Sequence, residues 1–271
     1  MIDTRPVILV TGASSGLGAA IAQGLAVTHG RVYGTSRSTG AGPPGVQMLT
    51  MNVDEDRSVG SAIERLVAEV GQIDVVVNNA GFGIAGAIED TTAAEAEAQL
   101  QTNFLGTHRV CRAVLPLMRA QRAGRIINIS SLAGLVPLPF QAFYSASKFA
   151  VEAYTEALRI EARPFGIHVS MIEPGDYATG FTARRRMVAA STGESAYHAR
   201  VLRAVAIMAR DEQANENLEP VVRTVRRALD ARRPRLRYPT ATAAQRTLVA
   251  LKPFLPDAII EKLLVGTYDA G

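Results

Sequence analysis

Tyr144 and Lys148 stand four residues apart, a spacing that puts both on one face of a helix and within mutual reach. A phenol titrates near about 10, too high to exchange protons readily at neutral pH, but a neighbouring ammonium favours the phenolate and pulls that value down. Such a pair can pass a proton to or from an oxygen. The spacing alone is common. It gains weight because Lys148, Lys252 and Lys262 are the chain's only lysines among many arginines.

A second group with chemical meaning is Thr11-Gly12-Ala13-Ser14-Ser15-Gly16-Leu17-Gly18, which follows the apolar run Val7 to Val10 and opens a helix-period segment. Glycines here let backbone N–H groups approach a pyrophosphate, and a helix N-terminus adds a favourable field for that anion. A glycine triplet is weak evidence, but its place between an expected strand and an expected helix favours the phosphate loop over a plain turn. In such sites an acid about 20 residues further on takes the ribose 2′-hydroxyl of NAD, whereas an arginine accommodates the NADP 2′-phosphate. The second apolar run ends Gly34-Thr35-Ser36-Arg37, and no acidic residue occurs from Arg31 to Met51. A carboxylate would repel the phosphate and a guanidinium grips it, so the cofactor expected is NADP(H), held at this end by Arg37.

The elements that must position these residues follow a regular rhythm. Strand-length apolar runs (Val7 to Val10, Val32 to Thr35, Val46 to Met51, Ile73 to Val77) alternate with helix-period segments (Ala19 to Val27, Val59 to Val70). That alternation is the signature of βαβ units and a parallel sheet. A long helical stretch from Ala93 to Met118, a strand Arg125 to Ile129, a helix Ala142 to Arg163 and a strand Ile167 to Ile172 continue it. Residues Asp176 to Leu218, after the sixth strand, exceed an ordinary connection. They contain a helix-period segment, Ala196 to Met208, and are expected to form a lid. Arg184, Arg185 and Arg186 would give it a polar outer face, and Phe181, Met187, Tyr197, Ile207 and Met208 would offer apolar contacts. Residues 234–271 carry a strand candidate, Leu236 to Tyr238, and a helix candidate, Ala258 to Leu264. The whole reads as one α/β domain.

Composition sets the outer bounds. A chain of 271 residues, 48% hydrophobic and 20% charged, is long enough for one sizeable core. Apolar runs such as Val75 to Val77 and Ile126 to Ile129 stop well short of the roughly 20 residues that span a bilayer. Neither a signal nor a transit peptide is visible in Met1 to Pro6, so the expected location is cytoplasmic. Cys111 is the sole cysteine, which rules out an intrachain disulfide and argues against a cysteine-rich metal site. The net charge of +4 raises the question of nucleic acid. The basic residues gather at Arg184 to Arg186 and Arg223 to Arg237 without a nucleic-acid motif or aromatic interleaving, so a solvated face is expected and no nucleic-acid partner.

Taken together, these motifs resemble the short-chain dehydrogenase/reductase family. Thr11 to Gly18 is similar to its TGxxxGxG loop, Asn78-Asn79-Ala80-Gly81 to its NNAG motif, and Tyr144-Ser145-Ala146-Ser147-Lys148 to its YxASK motif. Ser131 precedes Tyr144 by the family's interval, Asn103 lies where the family places its asparagine, and Pro174-Gly175 with Thr179 resemble its PG and Thr. The resemblance covers roughly Val7 to Thr179. More loosely, Ile172 to Gly175 and Arg235 to Pro239 resemble the branch of 17β-hydroxysteroid and retinol dehydrogenases.

The resemblance implies a Rossmann-type, doubly wound parallel sheet with a helical lid insertion after the sixth strand. It implies Tyr144 as proton carrier and Ser131, with Ser130 as the adjacent rival, as donor to the substrate oxygen. Lys148 would act on Tyr144 and bind the nicotinamide ribose, and Asn103 would hold a water. Cofactor contacts would come from Gly12, Ser14, Ser15, Gly16, Leu17, Gly18, Arg37, Asn52, Val53, Asn79, Ala80, Gly81, Tyr144, Lys148, Pro174, Gly175 and Thr179. Two positions depart from the family pattern: Asn52-Val53 stands where Asp-Val is usual, and Tyr177 where a small aliphatic residue is usual. The activity implied is hydride transfer between nicotinamide and an apolar carbonyl or secondary alcohol, by a homodimer or homotetramer. The competing reading, an NADP(H)-binding sensor with little turnover, would normally show a broken Tyr144, Lys148 or Ser131; all three are intact.

Overall fold

The computed structural model describes residues 5–38 and 40–268. Met1 to Thr4, from the amino-terminal stretch read above, and residues 269–271, from the carboxyl-terminal region, lie outside the described residues. In chain order the strands are β1 (Val7–Val10), β2 (Arg31–Ser36), β3 (Val46–Thr50), β4 (Val75–Asn78), β5 (Ile84–Ala85), β6 (Gly124–Ile129), β7 (Ile167–Pro174), β8 (Arg186–Met187) and β9 (Arg237–Thr240). The helices are α1 (Gly16–Thr28), α2 (Asp56–Val70), α3 (Ala93–Leu100), α4 (Gly106–Gln121), α5 (Ala142–Ala162), α6 (Phe181–Arg184), α7 (His198–Gln213), α8 (Glu219–Asp230), α9 (Ala243–Leu251) and α10 (Asp257–Tyr268).

Seven strands form one sheet in the order β3-β2-β1-β4-β6-β7-β9, every neighbouring pair parallel. The reversal of order between β1 and β4 is the switch point beside which doubly wound sheets bind ligands. Central strands are covered on both faces, so β1 and β4 are buried at every residue and read as unbroken apolar runs. On one face the core joins Val59, Ile63 and Leu66 of α2 to Val110 and Val114 of α4 and Leu158 of α5. On the other it joins Ile21 and Leu25 of α1 to Val221 and Val225 of α8. Helix α2 shows why the pattern works: Val59, Ala62, Ile63 and Leu66 fall on its buried face, at helical spacing. Gly71, at φ 83°, ends it by taking the left-handed conformation that glycine adopts at little cost.

The expected elements form, and the structure adds detail to three of them. The stretch Ala93 to Met118 is helical throughout, with a π-helical turn at Gln101–Leu105 between α3 and α4. The strand that precedes the expected lid is the sixth of the main sheet but the seventh in the chain, because β5 pairs apart from that sheet with β8. From Arg223 to Arg237, Arg223, Arg227, Arg232, Arg233 and Arg235 are exposed, as a solvated basic face requires. Helix α8 buries Val221, Val222, Val225, Ala228 and Leu229 on its other side and supplies the crossover to β9.

Candidate active site

The carboxyl ends of β1, β2, β4, β6 and β7 open into a cleft of about 470 Å³. Of the residues assigned to the site from sequence, all but Gly16 line it. The glycine loop turns at Gly12, φ 65°, and Gly16, φ 59°, and its tightness is enforced by contact. A Cβ on Gly18 would lie 2.2 Å from the Gly12 carbonyl oxygen and 2.3 Å from Asn79 Nδ2; one on Gly16 would lie 2.4 Å from the Thr179 carbonyl oxygen. Ser15 occupies the N-cap of α1 without a side-chain capping bond, which leaves the first-turn amides facing the cleft as an anion site.

Asn79-Ala80-Gly81 braces this loop from β4. The Asn79 amide donates to the carbonyls of Thr11 (3.0 Å) and Gly12 (3.2 Å), and the backbone N–H groups of Asn79 and Ala80 both donate to Thr11 Oγ1 at 2.9 Å. Asn78 points the other way, donating to Asn128 Oδ1 at 2.9 Å and to the buried Cys111 Sγ at 3.3 Å. Asn52 is turned toward its own loop, its amide donating to Glu55 Oε1 at 2.7 Å. Tyr177, the second departure from the family pattern, is buried and meets Thr240 Oγ1 at 3.1 Å while lining the cleft.

Helix α5 carries Tyr144 and Lys148 one turn apart. The Lys148 ammonium lies 5.8 Å from the Tyr144 ring centroid and donates to the Ile129 carbonyl at 2.8 Å, which ties α5 to the end of β6. Contrary to the lowering expected from Lys148, burial pushes the Tyr144 phenol up to about 12, with the Ser131 side chain opposing that shift. Burial likewise pulls Lys148 down to about 8, with the Glu152 carboxylate opposing. Ser131 caps a short 3₁₀ turn by accepting from the Ala133 N–H at 3.1 Å; Ser130 is buried beside it. Asn103 sits in the π-helical turn. Its amide donates to the Phe82 carbonyl and to Ser147 Oγ, both at 3.0 Å, and its oxygen accepts from the Phe82 N–H at 3.0 Å. A phenol, a hydroxyl and an ammonium thus converge beside an anion-binding loop. The arrangement can move a proton at an oxygen placed between Tyr144 and Ser131.

The segment after β7 differs from expectation. Of the three arginines expected on an outer face, Arg184 and Arg186 are exposed and Arg185 is not. Arg184 reaches back over the glycine loop, donating to Ser15 Oγ and, at 3.3 Å, to the Thr179 carbonyl. Arg185 is buried and ion-paired with Glu212, and Arg186 covers the Phe82 ring at 4.5 Å. Of the apolar residues expected to face a ligand, Phe181 lines the cleft, whereas Met187, Tyr197, Ile207 and Met208 do not. Asp176, Gln141 and Glu212 line it as well. These three, with Arg184, have no motif to mark them; Gln141 is placed by the start of α5, and the others by the chain's path after β7.

The family model described as short chain dehydrogenase matches residues 6–188, and the chain belongs to that family. A 3-ketodihydrosphingosine reductase of Bacteroides thetaiotaomicron is 40% identical over 258 residues, 95% of this chain and 96% of its own. The 17-beta-hydroxysteroid dehydrogenase type 1 of Homo sapiens is 34% identical, covering 93% of this chain and 82% of its own. A short-chain dehydrogenase structure from Streptomyces avermitilis superposes with a TM-score of 0.80 at 29% identity, over 96% and 95% of the two chains. A metagenomic short-chain oxidoreductase solved with NADP gives a TM-score of 0.59 at 33% identity, over 63% of this chain and 82% of the other. The protein is accordingly an oxidoreductase with a Rossmann-type nucleotide-binding fold, of the kind that uses a nicotinamide cofactor. Among the described residues no helix is long and apolar enough to cross a membrane.

Proposed function

We propose that the chain is an NADP(H)-dependent oxidoreductase that reduces an apolar ketone or aldehyde, or oxidises the corresponding alcohol. The observation that carries this reading is the convergence of Tyr144, Ser131 and Lys148 in the same cleft as the glycine loop. In it, Tyr144 delivers the proton and Ser131 hydrogen-bonds the substrate oxygen, so both stabilise the alkoxide character that develops in the transition state. Lys148 holds the ribose and sets the field at Tyr144, while Asn103 fixes the π-helical turn and positions a relay water. The nicotinamide, when bound, supplies or accepts the hydride.

Gly12 to Gly18, Asn79 to Gly81 and the turn Pro174-Gly175 to Thr179 would hold the cofactor. The fit rests on the close approach at Gly12 and Gly18 and on the uncapped start of α1. Preference for NADP(H) is supported by Arg37 at the end of β2, by the lack of an acid there, and by the NADP in the metagenomic relative. An apolar substrate is supported by Phe181, Leu138 and Tyr177 in the cleft lining and by the ketosphingosine and hydroxysteroid in the relatives' names. A cytoplasmic homodimer or homotetramer completes the reading.

Titration of both cofactors against the protein and against Arg37→Asp tests it. NADPH is expected to bind at least about tenfold more tightly than NADH, roughly 1.4 kcal/mol, within the reach of one charge-assisted phosphate contact. The substitution should abolish or invert that ratio. Equal affinities in the unmutated protein would sink the NADP assignment.

A further inference from the structure

Two of the three consecutive arginines after β7 have partners that use their charge. Arg185 is ion-paired with Glu212, and Arg186 covers the Phe82 ring at 4.5 Å. Arg184 has neither a carboxylate nor a ring for a partner among the described residues. Its guanidinium donates to neutral oxygens: Nε to the Gly180 carbonyl at 3.2 Å, Nη2 to the Thr179 carbonyl at 3.3 Å, and Nη1 to Ser15 Oγ. A guanidinium has five N–H donors, so one is left on each terminal nitrogen, the fork that a pair of phosphate oxygens takes.

What this cation faces also points to an anion. Ser15 is the N-cap of α1, whose first turn holds no acidic residue, so the guanidinium stands beside the positive end of a helix that brings no carboxylate of its own. An anion between the two is favoured from both sides. The backbone fixes their separation. Gly180, at φ 69°, turns the chain out of Thr179, and Arg184 follows one turn later with its backbone N–H on the Gly180 carbonyl at 3.2 Å. The Thr179 carbonyl lies so close to the glycine loop that a Cβ on Gly16 would sit 2.4 Å from it and 3.1 Å from Arg184 Nη2. Arg184 lines the cleft together with Ser14, Ser15 and Gly18.

Resting on the nicotinamide-cofactor reading, we infer that Arg184 grips the diphosphate of the bound dinucleotide from the side opposite the first-turn amides of α1. The carbonyls of Thr179 and Gly180 hold the guanidinium in place for this contact. NADP(H) and NAD(H) carry the same diphosphate, so Arg184 adds affinity for both and chooses between neither. That choice is left to Arg37, at the far end of the same site. The grip comes from the segment after β7 and not from the glycine loop, so cofactor affinity depends on two separate stretches of chain meeting at Ser15.

The test is calorimetric titration of NADPH and NADH into the parent, Arg184→Ala, Arg184→Lys and Arg184→Gln. Arg184→Ala is expected to weaken both cofactors by at least about tenfold, and by the same factor to within about threefold. Arg184→Lys should recover part of that loss and Arg184→Gln none, because lysine keeps the charge and glutamine keeps only a donor. If Arg184→Ala does not fold, the comparison of the lysine and glutamine variants decides alone. Affinities in Arg184→Ala within about threefold of the parent overturn the grip. A loss confined to NADPH moves the contact to the 2′-phosphate and overturns the diphosphate assignment. Equal affinities of the lysine and glutamine variants show a tether rather than a charge, which overturns it too. A parent that binds neither cofactor removes the nicotinamide reading and the grip with it; a parent that binds both, matched by Arg184→Ala, removes the grip alone.

Discussion

Tyr144 is surrounded so as to keep its proton: burial, with Glu212 and Asp176 adding to it, outweighs the pull of Ser131 and Arg185. A neutral phenol is the donor that carbonyl reduction needs. Tyr144→Phe removes that donor without touching the glycine loop. Turnover is therefore expected to fall by about 10²–10⁴-fold, the usual worth of a positioned acid, with NADPH affinity kept. Lys148→Ala should lower both, since its ammonium reaches the cofactor end as well as the phenol. Steady-state kinetics beside a cofactor titration reads the two effects separately. Near-normal turnover by Tyr144→Phe would remove the acid/base role. These two residues were legible because chemistry and helical spacing coincide within five residues. Gln141 was not, because no motif marks a residue that lines the cleft from the start of α5, and Asp176 was not, because its partner Gln245 lies 69 residues away.

At the scale of elements, the segment between β7 and α8 is held at several points. The Ala178 N–H donates to the Asn215 carbonyl at 2.9 Å, and the Asn215 amide to the Asp176 carbonyl at 3.1 Å. Ser191 and Ser195 both donate to Asp90 Oδ2 at 2.7 Å. Helix α7 buries Val201, Ala204 and Met208. The first two of these bonds lie within the segment, but a lid that moves as a whole would have to break the bonds to Asp90 and the pairing of β8 with β5. The part that lies against the glycine loop is the stretch from Thr179 to Arg184, whose Arg184 already touches Ser15. Hydrogen exchange is expected to show protection rising there on NADPH binding, with α7 unchanged in both states. A uniform response from Asp176 to Leu218 would show that the whole segment moves. Sequence length marked the segment as unusual, and the run Ala196 to Met208 marked α7. The tethers were hidden because each joins residues from distant parts of the chain through serine, asparagine and aspartate, types common in any loop.

At the scale of the molecule, α5, β7 and β9 meet in a partly buried ionic cluster. Arg237 of β9 lies 3.1 Å from both Glu152 of α5 and Glu173 of β7 and is paired with Glu156 as well. Burial and the facing Glu152 push Glu173 up to about 8, against the pull of Arg237. A carboxyl raised on folding contributes stability that is full below its unfolded value and is lost as pH rises through its folded one. Glu173 should therefore weaken the fold as pH climbs from about 4.5 to about 8. Lys148, lowered to about 8, acts in the next window, where its contribution increases with pH. Thermal melting across the lower window is expected to show a falling midpoint in the parent and a flatter profile in Glu173→Gln. Equal slopes would show that Glu173 is not the group responsible. The parallel sheet itself was legible from the alternation of apolar runs, since strands covered on both faces leave that trace. The cluster was not, because it depends on β9 lying beside β7 and on α8 carrying the chain there.

Strand β9 also closes one side of the sheet, and its sequence bears on what can join there. Leu236 and Thr240 turn their carbonyls toward β7, accepting from Met171 at 2.7 Å and Gly175 at 2.9 Å. By the alternation of a strand, Arg237 and Pro239 then present their backbone to the open side. Proline has no N–H to offer, so the outer rim lacks the donor in mid-strand that an incoming chain would need to continue the ladder. Extension of the sheet from one copy into the next is blocked at this border. At this border, strand-on-strand association is discouraged by a single imino acid, while the opposite edge is β3.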